Sequence, residues 1–243
     1  MSALWPCDDL PLDWQRGELK ELRSLGYSWN NPHEIRDLFE KEIAAFTGAP
    51  FCVATQSCTD AIVLCLDWVD GEVSPIEEAF LPRNTYISVP SALVHYLLPF
   101  NFEPLEWEGS YQIKPTPIWD CAPRFRRGMY LSGQLQCLSF QIKKRLPIGR
   151  GGAILTDDEK AYRWLKQAAY DGRDLSHPKG RWQDEFQMIG RHVYLTPEDC
   201  ARGLILFKKL LALYPDGNIP DCQKWSDYPD LSQVKQFRAT SLF

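Results

Sequence analysis

Leu138-Ser139-Phe140-Gln141-Ile142-Lys143-Lys144-Arg145-Leu146-Pro147-Ile148-Gly149-Arg150-Gly151-Gly152 is the stretch that decides how this 243-residue chain reads. An apolar run ends in Ser-Phe, a lysine stands four residues beyond the phenylalanine, and a Gly-x-Gly-Gly turn leads into a new apolar run. A lone lysine is usually a surface charge. Lys144 instead falls between a strand end and a glycine turn, where an α/β fold puts chemistry. An amine held there beside a bound aldehyde, once it loses its proton, can form a Schiff base.

Working outward, helix and strand signals alternate, which predicts an α/β sandwich with a mostly parallel sheet. Leu135 to Phe140 and Ala153 to Leu155 are the strands flanking the quoted loop. Upstream, Asn31-Pro32-His33-Glu34 opens a helix in which Ile35, Leu38, Phe39, Ile43 and Phe46 recur at helical spacing, and Gly48 stops it. Phe51 to Thr55 is a buried strand. Ser57 then caps a helix that is apolar almost all round from Ala61 to Val69, with Gly71 beyond its end, so that helix is expected at the centre of the molecule. Ala79-Phe80-Leu81 is a short strand, followed by a helix from about Tyr86. Pro117 to Asp120 is a strand ending on a carboxylate. Thr156-Asp157-Asp158-Glu159 has the form of a capping box, and Thr196-Pro197-Glu198-Asp199 opens the last long helix. The expected division is residues 1–214 as one domain and an irregular, Pro- and Asp-containing tail over 215–243.

Hydrophobic residues make up 44% of the chain and charged residues 24%, which favours a packed core over disorder. A net charge of −5 argues against nucleic acid or an anionic membrane as the main partner. The start of the chain has no signal-like segment, and the longest apolar stretch, Val89 to Phe102, is broken by His95, Pro99 and Asn101. Eight cysteines without a Cys-x-x-Cys pair are expected as buried thiols in a reducing compartment, hence a cytoplasmic protein. The four histidines lack metal-ligand spacing, so no metal site is expected.

Three features then stand at strand ends: Ser57-Cys58-Thr59, Asp120, and Lys144 with Ser139 before it. Each alone has an ordinary use as cap or surface charge. Together they are what pyridoxal 5'-phosphate needs: a helix N-terminus for the phosphate, a carboxylate for the pyridine nitrogen, and an amine for the aldehyde. Tyr86, in Asn84-Thr85-Tyr86 after another strand, is placed to stack on the ring.

The ordered set closely resembles the DegT/DnrJ/EryC1/StrS aminotransferases, from about Leu12 to Leu211. Ser57-Cys58-Thr59-Asp60-Ala61 is similar to that family's Ser/Asn-Gly-Thr-x-Ala phosphate turn, with Cys58 at the usual glycine. Trp119-Asp120-Cys121-Ala122 is similar to Glu-Asp-Ala-Ala, and the register of Ser139-Phe140 to Gly151-Gly152 selects Lys144 over Lys143. The resemblance implies a pyridoxal-phosphate-dependent fold-type-I large domain, an α/β/α three-layer sandwich, with the small C-terminal domain reduced or missing. It implies transamination of a keto sugar, nucleotide-linked, with Glu or Gln as donor. Lys144 and Asp120 would be catalytic, and Ser57, Cys58, Thr59, Tyr86 and Ser139 would bind cofactor. It also implies a homodimer in which His192, within Gly190 to Tyr194, reaches a neighbour's cofactor phosphate. Pro123, Arg150 and Tyr194 depart from the family pattern. With the short C-terminus, they support the alternative of a catalytically impaired cofactor-binding relic, regulatory partner or part of a split enzyme; in either reading the short C-terminus implies that much of the substrate wall is absent.

Overall fold

The computed structural model describes residues 17–31, 33–173 and 188–238. The expectations that rested on Leu12 to Arg16, on Pro32 as first helical residue and on the last five tail residues lie outside the described residues.

Helix α1 (Gly17–Ser24) and helix α2 (Glu34–Thr47) come first. The carboxylate of Glu34 accepts the N–H groups of Asn30 and Asn31 at 3.0 and 3.2 Å, closing the start of α2, and Gly48 ends it in the left-handed conformation with φ 81°. Strand β1 (Phe51–Thr55) leads to helix α3 (Cys58–Trp68), whose N-cap Ser57 accepts the N–H of Asp60. The expected end before Gly71 is not a clean stop. A π-helical turn, Val69–Val73, carries the chain through Gly71.

Strand β2 (Ala79–Pro82), helix α4 (Ser88–Tyr96) and strand β3 (Phe100–Glu103) follow. The apolar stretch around Val89 to Phe102 therefore splits into helix and strand at Leu97, which takes a left-handed φ of 61°. Strands β4 (Tyr111–Gln112), β5 (Ile118–Asp120), β6 (Leu135–Ser139) and β7 (Gly152–Thr156) complete the sheet. Helix α5 (Glu159–Ala168) is capped by Asp158, which accepts the N–H groups of Lys160 and Ala161, and not by Thr156 as the sequence pattern predicts. Thr156 is still strand, paired with Phe51, so the helix begins later. Helix α6 (Pro197–Leu213) is capped by Thr196 as expected. The described residues of the tail after it hold only short turns and a one-turn helix α7 (Lys235–Arg238).

The main sheet has the order β1-β7-β6-β5-β4, and β2 pairs with β3 in parallel. β5 and β6 are parallel, while β7 is antiparallel to both β1 and β6, so β1, β5 and β6 share one direction. An antiparallel bridge from Phe80 to Lys114, just beyond β4, aligns β2 and β3 with them. Only β4 and β7 run the other way among the described strands. Successive residues of β7 face opposite layers: Ala153 and Leu155 pack with α1, α2 and α6, whereas Ile154 packs with α3, α4 and α5. The three-layer sandwich expected from the sequence is thus present, with α3 buried on its Ile62, Leu64, Cys65 and Leu66 faces. No helix among the described residues is long and apolar enough to cross a membrane.

Candidate active site

Co-directional strands present their carboxyl ends along one edge, where an open α/β sheet forms its crevice. β1 delivers Ser57, Cys58 and Thr59; β2 delivers Thr85 and Tyr86; β5 ends on Asp120; β6 ends on Ser139, five residues before Lys144. All of the pocket candidates Ser57, Cys58, Thr59, Tyr86, Asp120, Ser139 and Lys144 line a single cavity of about 860 Å³. These groups come from four separate segments, and the sheet is what brings them together.

Asp120 is the most constrained of them, at 4% exposure. Tyr111, its cross-strand partner on β4, donates its hydroxyl to one carboxylate oxygen at 2.8 Å, and the Ala122 N–H donates to the other at 2.8 Å. Tyr111 in turn shares a 2.5 Å hydrogen bond with Thr85. Burial pushes the Asp120 carboxyl above the usual carboxylate range; the Ala122 N–H, the Tyr111 hydroxyl and the Lys144 charge pull against that shift. A carboxylate held this way, with a cavity on its open side, is matched to a positively charged N–H donor.

Lys144 is half-buried and its Nζ donates to the side-chain carbonyl of Gln223. Lys143 lines the same cavity but is exposed, as is Arg150. At the start of α3, the Ser57 hydroxyl is engaged with Asp60, donating to its carboxylate at 2.6 Å while accepting its N–H at 3.0 Å. An incoming anion there would therefore meet chiefly backbone N–H groups of the first turn. Thr59 and Ser88 share a hydroxyl contact at 2.7 Å across the cavity. Gly152 makes this corner fit: a Cβ on it would lie 2.5 Å from the backbone N of Cys58 and from the carbonyl carbon of Ser57. Cys58 points its sulfur toward Asp120, at 3.9 Å, and toward the Cys137 carbonyl, at 3.5 Å. Burial, then the neighbouring Asp120, push its thiol well up, so it stays a thiol. Tyr86 is 55% exposed at the mouth, edge-on to Tyr228 with 6.4 Å between ring centroids.

His192 is the site residue that the fold does not bring into this cavity. It lies on the surface beside Asp171, with its Nδ1 at 3.0 Å from the carboxylate. Arg124, next to Pro123 of the cavity lining, is bound to Asp221 at 2.7 Å and to the Glu108 carbonyl at 2.9 Å. Gln223, Tyr228, Pro229 and Leu231 of the tail line the cavity, so the tail supplies part of its wall. Tyr111, Trp107 and these tail residues carry no motif. Only the pairing of β4 with β5 and the path of the tail reveal them.

The architecture is also that of solved aminotransferase structures. It is shared with the sugar aminotransferase CalS13 from Micromonospora echinospora (TM-score 0.63, 16% identity, covering 79% of this chain and 64% of that one). NtdA from Bacillus subtilis, whose crystal structure holds the cofactor PMP, has the same fold (TM-score 0.59, 19% identity, 80% of this chain and 52% of that one). Residues 17–99 match the model of the DegT/DnrJ/EryC1/StrS aminotransferase family, the family that the motifs resemble. The spore coat polysaccharide biosynthesis protein SpsC of Bacillus subtilis is 23% identical over 79% of this chain and 61% of its own length. The chain spans between about half and two thirds of the length of these proteins.

Proposed function

We propose that this chain is a pyridoxal-phosphate-dependent aminotransferase that acts on a keto sugar carried by a nucleotide, with Glu or Gln as amino donor. The observation that carries the reading is the meeting of Lys144, Asp120 and the start of α3 in one cavity. The residues fit the cofactor chemically, since among the described residues no cation is in direct contact with the buried Asp120 carboxylate, which has raised proton affinity. Bound pyridoxal phosphate supplies an aldehyde for the lysine amine and a ring that draws electrons from the substrate carbon.

In this reading Lys144 holds the cofactor through its Nζ and, once released, carries a proton to and from the donor carbon. Asp120 accepts the N–H of a protonated ring nitrogen and keeps that proton in place. Thr59, Ser139 and the first-turn N–H groups of α3, Cys58 among them, bind phosphate oxygens, with Ser57 fixing the turn. Tyr86 covers a ring face. Arg150 and Lys143, exposed at the mouth, are suited to phosphates of a nucleotide-linked substrate. The sugar-related names of CalS13 and SpsC support the substrate class. The chain works as a homodimer, with His192 donating to the cofactor phosphate of a second copy. Its 68% side-chain exposure supports that use.

The test is borohydride reduction of the protein with pyridoxal phosphate, followed by peptide mapping. The label is expected on Lys144, and Glu should bleach the cofactor absorbance with release of 2-oxoglutarate. A label on Lys143, or none at saturating cofactor, refutes the assignment. For the dimer, mixing Lys144→Ala and His192→Ala protomers should restore one intact site per mixed dimer; a monomer that binds cofactor tightly refutes it.

A further inference from the structure

The tail is tied across the cavity at both ends of a short span. At one end Asp221 binds Arg124, and the Cys222 N–H donates to the Pro123 carbonyl at 3.0 Å. At the other, the Asn84 side chain donates to the Tyr228 carbonyl at 2.9 Å, and the Leu231 N–H donates to the Arg83 carbonyl at 2.8 Å. Between them the Gly109 N–H donates to the Gln223 carbonyl at 3.2 Å and the Trp225 N–H to the Trp107 carbonyl at 3.0 Å. Gly109 is the seat of the first tie: it has a φ of +71°, and a Cβ there would fall 1.9 Å from the Asp221 carboxylate. The backbone of residue 223 is thus fixed, and its side chain is the group that meets Lys144.

We propose that Gln223 is a positioning residue for Lys144: its side-chain carbonyl holds the Nζ against the tail wall whenever that amine is not covalently engaged. The inference rests on the aminotransferase reading for its catalytic meaning, though not for the contact itself. An ammonium on a long flexible stem samples many rotamers. A charge-assisted hydrogen bond to a fixed acceptor selects one of them. The same contact guards the amine from chance aldehydes before the cofactor arrives, and it returns the amine to one place after the donor releases it.

Reductive methylation of the full-length, cofactor-free chain with formaldehyde and cyanoborohydride, mapped by mass spectrometry, reads this contact directly. In Gln223→Met, which keeps the length of the side chain without the acceptor, Lys144 should be labelled about tenfold faster, the scale of one charge-assisted hydrogen bond. Lys143 should keep its rate and serves as the internal control. Gln223→Asn, one methylene too short, should behave like Met and stands in if Met disturbs the fold. Gln223→Glu, which still offers an acceptor, should restore protection. Equal Lys144 rates in wild type and in the folded Met or Asn variant would overturn the proposal, as would failure of Glu to protect. With pyridoxal phosphate and Glu, the Met variant should lose about tenfold in maximal rate at unchanged half-saturating Glu, the loss of orientation at the amine. An unchanged maximal rate overturns the positioning role. Methylation needs no cofactor, so failure to trap cofactor on Lys144 would refute the aminotransferase reading and leave the Gln223 contact to stand or fall separately.

Discussion

Asp120→Asn separates fold from chemistry at the centre of the site. In the wild type two donors, the Tyr111 hydroxyl and the Ala122 N–H, each lie 2.8 Å from a carboxylate oxygen. An asparagine can keep its carbonyl on the Ala122 N–H and turn its NH₂ to Tyr111. Tyr111 can then donate to Thr85, whose hydroxyl is 2.5 Å away. Exchanging charge-assisted bonds for neutral ones costs about 1–2 kcal/mol. The relief of a buried charge returns a similar amount. Stability at neutral pH should change by no more than about 1 kcal/mol. The sign of the pH dependence follows from the raised carboxyl. The folded state binds this proton more tightly than the unfolded chain, so stability is lost as pH rises from the ordinary carboxylate value, about 3.9, through the raised folded one. Asp120→Asn lacks this loss, so its stability relative to wild type should improve over that window. The chemistry should behave otherwise. Removing a preorganised electrostatic partner of a reacting group costs roughly 100- to 1,000-fold, or about 2.7–4 kcal/mol. Urea unfolding between pH 4 and 8 and stopped-flow half-transamination with Glu measure the two effects. A rate within tenfold of wild type, with cofactor bound, would refute the role given to Asp120; a collapsed fold would refute the reversible hydrogen-bond chain.

Gly152→Ala places a methyl group 2.5 Å from the Ser57–Cys58 backbone; it should cost about 1–3 kcal/mol and weaken pyridoxal phosphate binding, read by urea unfolding and spectroscopic titration. Glu40 is 4% exposed and binds both the Ala54 N–H, at 2.8 Å, and the Lys166 ammonium, at 2.6 Å. Glu40→Ala should therefore lose about 3 kcal/mol, while cofactor affinity measured on the folded fraction stays unchanged. Tyr86→Ala, at a half-exposed position on the cavity mouth, should shift stability by less than about 0.5 kcal/mol yet speed cofactor loss on dialysis.

Much of the sandwich was legible because its elements carry their own punctuation. Ser57 and Thr196 cap helices by contacts with residues three positions on, and Gly48 stops one through its own φ. The candidate set was legible for a related reason: Asp120 and Ser139 end strands whose apolar runs mark them, Ser57 follows such a strand by two residues, and Lys144 follows Ser139 by five. β4 was not legible, because two residues are too few to show a period. The start of α5 was misplaced because Thr156 and Asp158 are equally good caps in isolation, and only pairing of Thr156 with Phe51 makes it strand.

The sequence by itself determined the alternation of strands and helices, the lysine register and the residues offered at strand ends, since these depend on local spacing and backbone preference. Tertiary structure decided that those ends meet in one cavity and that Tyr111 supports Asp120 from the neighbouring strand. It also turned Arg124 into an anchor for Asp221, and laid an unpatterned tail across the site to bring Gln223 onto Lys144. These contacts join residues as far as 97 positions apart. They arise from the stacking of strands and the path of a loop over them, and no short-range period along the chain encodes either.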